Sequence, residues 1–303
     1  MRSPALGLAA LVAFSLGGMA ACASSPAALP WGQPDVAPDL PGTFVDAMTG
    51  REVADAVVYE RLGAVEVVFV AEAHGEPAHH RLQAALVMAL ARHHGGRTVA
   101  AVEWLPASAR GALTAWLAGF EDVERLRAAV AWDDVWGHSF AAYVPFFETL
   151  RAARIAIEPI NAEPGLARAI ARGETLDAAQ MALLPRLDTG TPEHQSWFEQ
   201  QMSSMAGHGH GHAVGPGGME RLYRAQLVWD EVMAANVIRL LEDKAHVVVC
   251  AGSGHITRAL GVPSRIGAAS HLIVMPLATL ADVHARAADA PFPTREADLF
   301  WVP

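Results

Sequence analysis

Five short apolar runs, spaced so that a helix fits between most neighbours, constrain the fold of this chain more than any other feature. They are Val65–Val70, Thr98–Val102, Ile155–Ile160, His246–Cys250 and His271–Met275, rich in valine and isoleucine. Each is apolar nearly throughout instead of alternating, the pattern of a strand covered on both faces. Between them lie helical stretches. Pro77–His94 opens with proline in its first turn and closes on Gly95-Gly96. Val123–Ala131, Ala141–Ala153 and Leu176–Leu184 are further predicted helices. Met219–Leu241 is the longest, with an apolar stripe through Leu222, Val228, Val232, Ala235 and Ile238. Strands separated by helices need right-handed crossovers, which predicts an α/β fold with a mostly parallel central sheet flanked by helices. Residues 162–243, between the third and fourth runs, are too many for a simple crossover and predict a helical insertion or cap. No internal sequence repeat is present.

The amino terminus reads differently. Arg2 is followed by an uncharged apolar stretch from Ala5 to Ala20, then by Met19-Ala20-Ala21-Cys22. Residues 1–21 have the layout of a secretory signal peptide, with small residues directly before a cysteine that would carry the lipid. The stretch is short for a membrane-spanning helix and holds Gly7, Gly17 and Gly18. Residues 22–44, rich in Ala, Ser, Pro and Gly, predict a flexible tether. The α/β domain is expected over 45–280, with 281–303 as a C-terminal extension. The protein is thus expected to be exported and held to a bacterial membrane only through the lipid on Cys22. The remaining cysteine, Cys250, has no partner for an internal disulfide and reads as a core thiol. A formal net charge of −10 argues against nucleic acid as a partner.

In an open parallel sheet, ligands gather outside the carboxyl ends of the strands. The first run leads into Glu72 and His74, the second into Glu103-Trp104, the third into Asn161, and the fourth into Gly252-Ser253-Gly254-His255, with Arg258 a turn later. Glu72, His74, Glu103 and His255 are therefore the candidate ligand-binding or catalytic cluster, since titratable groups collected at strand ends are how sites are recognised. Asn161 and Arg258 would support it. A lone polar residue after a strand often only caps the next helix, as Glu72 or Ser253 could. His79, His80 and Gln83 follow the first strand end, and the face shared by His80 and Gln83 points either to solvent or to the site. Gln226 and Asp230, four apart on the long helix, either point into the site or pair with each other.

Several segments resemble a known family. Val68–Gln83 (VFVAEAHGEPAHHRLQ), Val102–Pro106 (VEWLP), Tyr143-Val144-Pro145, Ile160-Asn161, Ala225–Ala234 (AQLVWDEVMA), Ala251–Ile256 (AGSGHI) and Gly261-Val262-Pro263 are similar to the ChaN haem-binding lipoproteins. These belong to a wider group that includes the Tiki peptidases and erythromycin esterases, whose common mark is Gly-x-x-His. The resemblance runs from about residue 45 to 275. It implies an α/β fold with a helical cap and a lipoprotein near an iron-acquisition system, binding haem between two protomers of a homodimer. One departure stands out: the first motif is Ala71-x-x-His74, where Ala71 lacks the freedom of glycine to take φ > 0. The second, Gly252-x-x-His255, is intact.

Three chemistries are open to these residues. Haem needs an axial ligand and an apolar wall. Tyrosine ligation fits the resemblance and makes Tyr143 the cofactor-binding candidate, unless it packs beside Trp132 and Trp136 as core. The second is hydrolysis of a peptide or ester: His74 or His255 would act as general base or both would hold a divalent metal, with Glu72 and Glu103 orienting a histidine or taking a proton. No Gly-x-Ser-x-Gly elbow is present for a serine nucleophile. The third is metal capture by His208, His210 and His212, which alternate with glycine. The ordering cost of so glycine-rich a segment favours a solvated loop there.

Overall fold

The computed structural model describes residues 41–119, 122–184, 190–205, 217–243, 245–257, 260–289 and 296–303. Cys22 with the expected leader, Arg258, and the histidines 208, 210 and 212 lie outside the described residues. In chain order the elements begin with β1 (Thr43–Asp46), β2 (Glu52–Val53), α1 (Asp55–Gly63), β3 (Val67–Glu72), α2 (Pro77–His94) and β4 (Thr98–Pro106). Then come α3 (Arg110–Leu117), α4 (Val123–Ala129), α5 (Trp132–Val135), α6 (Val144–Ala152), β5 (Ala156–Asn161), α7 (Pro164–Arg172), α8 (Ala178–Leu183) and α9 (Pro192–Met205). The last are α10 (Gly218–Glu242), β6 (His246–Gly252), β7 (His271–Pro276), α11 (Leu280–Asp289) and β8 (Leu299–Val302).

The sheet has eight strands in the order β2-β1-β8-β7-β3-β6-β4-β5. From β8 to β5 every neighbouring pair is parallel, and only β1 with β8 and with β2 is antiparallel. The sheet is therefore mostly parallel and flanked by helices. Its inner strands are buried along their length, β3 and β7 between neighbours on both sides. Burial on both faces is what their unbroken valine and isoleucine content calls for.

Helix α2 begins where the sequence directs it. Pro77 occupies its first turn, and the Glu76 carboxylate accepts a hydrogen bond from the Ala78 N–H at 3.2 Å. It packs against β3, β4 and β6, with Leu82 and Leu86 fully buried. Helix α10 covers the face of the sheet that carries Val67, Phe69, Ala71 and Val249, burying Met233, Ala234, Val237 and Leu240 against it. Met233, Val237 and Leu240 each contribute about 1.5–3 kcal/mol by leaving water.

Three expectations need correction. The stripe on α10 is rotated from the one drawn through Leu222, Val228, Val232, Ala235 and Ile238, because Ala235 and Ile238 face outward. The buried line runs Tyr223, Gln226, Asp230, Met233 and Val237. Second, residues 281–303 are no appendage, since Leu299–Val302 lies inside the sheet between β1 and β7. Third, the domain starts before residue 45, because Thr43 and Phe44 already pair with Val302 and Trp301. Strands of four residues or fewer, one of them near the terminus, gave too little pattern to register.

Candidate functional site

Strands β3, β6 and β4 are adjacent, and Glu72 stands in register with Gly252. This adjacency brings the acids and histidines of three strand ends together. Glu103 lies within β4, which runs on to Pro106 through an irregularity after Val102.

Glu72 is a buried carboxylate surrounded by donors. Gln83 Nε2 donates to its Oε2 at 2.9 Å, Trp104 Nε1 reaches both oxygens at 3.1 Å, and the Tyr143 hydroxyl donates to Oε1 at 3.5 Å. Its Oε1 also meets His74 Nδ1 at 2.9 Å. Burial pushes the Glu72 carboxyl above its ordinary range, while the bonds from His74 and Gln83 pull it down. With Nδ1–H committed to Glu72, Nε2 of His74 carries the lone pair, and this side chain remains 32% exposed. Burial lowers the basicity of His74, but Glu72 and Glu103 outweigh it and raise the pKa above 6.5.

His255 is held from both sides. Its Nδ1 meets Asp230 Oδ1 at 2.7 Å and its Nε2 meets Glu103 Oε1 at 3.3 Å. Burial alone would favour the neutral ring, yet Glu103 and Asp230 lift its pKa to about 9. Both ring nitrogens of His255 are thus engaged by carboxylates, which favour its protonated form. Gln226 Nε2 donates to the Gly254 carbonyl at 3.1 Å and lies 3.0 Å from His255 Nδ1, so Gln226 and Asp230 both serve the site as well as lying side by side.

Gly252 is where the two motifs interlock. A Cβ there would fall 2.5 Å from Cε1 and 2.7 Å from Nε2 of His74, and the Gly252 N–H donates to Glu103 Oε2 at 2.6 Å. Space, not a positive φ, requires glycine at this position. Ala71, by contrast, sits inside β3 with extended neighbours on both sides, so alanine there is unstrained; the turn into His74 is made by Gly75 at φ 76°.

A cavity of about 420 Å³ opens over this cluster, lined by His74, Glu103, His255 and Asn161. Trp136 and His138, beyond α5, form part of its wall; Ala167, Arg168 and Ala171 of α7 and Trp229 of α10 form more of it. Trp136, His138, Arg168 and Trp229 were not anticipated. Trp136-Gly137-His138 is a visible break after a short helix, but no sequence pattern ties that break to the strand ends.

The other predicted residues are placed elsewhere. His79 turns away, its Nδ1 accepting from the Ala73 N–H at 2.9 Å and its ring lying edge-on to Trp301. His80 is buried rather than solvent- or cavity-facing, stacked on Trp104 with its centroid 3.9 Å from Tyr143, and neither ring nitrogen has a hydrogen-bond partner among the described residues. Burial, aided by His79, His74 and Arg81, drops its pKa to about 3. Tyr143, the candidate iron ligand, is fully buried and does not line the cavity. Its oxygen accepts from Gly75 N at 3.0 Å and Trp136 Nε1 at 2.9 Å, so both lone pairs are engaged. Tyr143 is core that braces the site from beneath. The thiol of Cys250 is likewise buried, its pKa pushed well up by burial.

Among the described residues, no group of three or more His, Cys, Asp or Glu side chains is arranged to hold a metal ion. The expected divalent metal between His74 and His255 is therefore not supported. The physical reason is that the carboxylates are committed to the imidazoles, and His255 has no free nitrogen.

Residues 58–266 match the family described as haem-binding uptake, Tiki superfamily, ChaN. The chain belongs to this ChaN family. Its backbone is similar to that of ChaN of Campylobacter jejuni, a structure titled for cofacial haem binding, with a TM-score of 0.66 at 17% identity over 86% of this chain and 95% of that one. That likeness shows the ChaN fold. A mutant of the erythromycin esterase EreC in its open conformation aligns at a TM-score of 0.46 and 11% identity, over 77% of this chain and 76% of that one. The type III effector HopBA1 aligns at 0.44 and 13% identity, over 81% and 90%. No curated protein matches the chain significantly.

Proposed function

We propose that this protein binds haem in the cavity over the strand ends, as an exported, lipid-anchored member of an iron-acquisition system. The observation that carries the reading is an accessible imidazole in an aromatic cavity. Haem requires an axial donor and an apolar wall. His74 offers Nε2 with Nδ1 fixed by Glu72, the arrangement by which a carboxylate sets the tautomer and raises ligand basicity. His138 stands 5.2 Å from it, ring to ring, with neither nitrogen bonded among the described residues. Trp136, Trp229, Val135 and Ala167 supply the wall. The residues fit the group: His74 and His138 would face the iron, and the indoles the macrocycle. Bound haem would supply a redox-active iron; the chain supplies orientation, exclusion of water and the fixed tautomer of His74.

Titrating the purified protein with haemin should give a saturable Soret shift, weakened about tenfold or more in His74→Ala and further in the double variant with His138→Ala. The absence of a saturable shift in the wild type would sink the reading. Export rests on the leader and on Cys22, and is supported by the uptake role in the family's description. Among the described residues no helix is long and apolar enough to cross a membrane. The intact mass of the membrane-extracted protein should include an acyl-glyceryl group that Cys22→Ser lacks.

A second reading is favoured by the His74–Glu72 pair beside the imidazolium of His255, a base and an acid facing one cavity. In it, His74 would take a proton from water and His255 would give one to the leaving group of an ester or amide. Hydrolysis that survived replacement of both histidines by alanine would dismiss it.

A further inference from the structure

The cavity is electrically lopsided. Glu103 and the acids behind the histidines lie at its floor, whereas the arginine of its lining, Arg168, belongs to the second turn of α7. Other arginines are engaged, one of them on α7 itself: Arg110 Nε meets Glu158 at 2.8 Å, Arg239 meets the same carboxylate at 3.5 Å, Arg172 of α7 meets Glu174 at 3.6 Å and Arg265 meets Glu231 at 3.0 Å. Arg168 has no acidic partner among the described residues, although it lies on the wall of a cavity that contains Glu103. Asn161 shares that wall. Its Oδ1 accepts from the Ala162 N–H at 2.7 Å, which fixes the amide and leaves Nδ2 as an uncommitted donor.

We propose that Arg168 and Asn161 form a carboxylate subsite, so that the ligand of this cavity is a flat apolar body bearing at least one carboxylate. The proposal rests on the haem reading and names the part of that ligand the chain grips by charge, the propionate side. A guanidinium fork matches a carboxylate in geometry, and the bond is strengthened by charge on both partners. Arg168 is exposed on that wall and open to an incoming ligand, with Ala167, Ala171 and Trp229 lining the same cavity. The chain as a whole carries a net charge of −10, so an anionic ligand needs a local cation at the point of entry.

The test uses the full-length protein with three probes: haemin, iron-free protoporphyrin, and protoporphyrin dimethyl ester, which has the ring without the charges. Porphyrin fluorescence reads affinity for the second and third. Arg168→Met keeps the side-chain stem and removes the charge. It should weaken protoporphyrin about tenfold or more, with a smaller deficit at high salt, while the dimethyl ester binds wild type and variant alike. Arg168→Lys should recover part of the loss. Diacid affinity within twofold of wild type in Arg168→Met overturns the proposal, as does an ester that binds wild type as tightly as the diacid. If protoporphyrin binding depends on Arg168 while haemin gives no saturable shift, the subsite stands and the haem reading falls. If no porphyrin binds the wild type, both fall.

Discussion

Held between Asp230 at 2.7 Å and Glu103 at 3.3 Å, His255 links the site to the stability of the fold. Its folded pKa of about 9 lies above the unfolded value near 6.5. A raised histidine pKa stabilises the native state fully below pH 6.5, and that contribution is lost as pH rises through 9. The amount is on the order of 2–4 kcal/mol. His80 works in the opposite sense, since a folded pKa near 3 means stability present above pH 6.5 and lost as pH falls. Urea midpoints should therefore peak near neutrality and fall between pH 6.5 and 9. In Asp230→Asn the alkaline decline should shrink markedly, on a baseline lowered by about 3 kcal/mol, because Arg265 and His255 lose a buried partner. An alkaline decline as steep in the variant as in wild type would show that His255 is not its source. The participation of Asp230 and Gln226 was open in the sequence: i,i+4 spacing put them on one face but could not say whether that face looked at the sheet.

At the scale of elements, the strand ends were legible because an apolar run gives way abruptly to Glu, His or Gly, and topology alone then gathers them. What the run could not reveal is why glycine precedes Ser253-Gly254-His255 at the end of β6. The answer is a contact between elements, the ring of His74 lying over Gly252. Gly252→Ala should leave the sheet intact, since residues 246–252 are extended and alanine tolerates that backbone. The added methyl has to displace the partly exposed ring, which breaks the 2.9 Å bond to Glu72. The expected outcome is a melting temperature within a few degrees of wild type. The NMR titration of His74 should move back toward 6.5, with Soret affinity down about tenfold. An unchanged His74 titration would refute the packing argument. The same scale sets the face of α10: apolar residues alone do not define it, because the buried line of that helix runs through two polar ones that His255 satisfies.

For the whole molecule, the parallel centre was readable from five unbroken apolar runs, but the flank that closes the sheet was not. Strands β1 and β8 have four residues each and pair across nearly the entire chain, Thr43 with Val302 and Asp46 with Leu299. Local pattern carries no information about such a distant pairing. Its weight is considerable. Leu299, Phe300 and Trp301 are all essentially buried, and the Trp301 Nε1–H donates to the Pro41 carbonyl. Removing residues 296–303 deletes these three side chains, unpairs β7 on one edge and leaves β1 joined only to β2. Truncating a single buried aromatic costs about 3–5 kcal/mol, and a domain has only about 5–15 kcal/mol in all. A chain ending at residue 295 should therefore show no cooperative thermal transition, or one displaced by tens of degrees, and should expose the apolar edge of β7 to self-association. Phe300→Ala alone should remain folded with a lowered midpoint, which separates loss of one contact from loss of the strand. If the truncated chain melts cooperatively near the wild-type temperature and still shifts the Soret band, β8 is an accessory and the sheet is complete at β7. The expected failure would instead mean that the site at the strand ends depends on the last residues of the chain, from the opposite flank of the sheet.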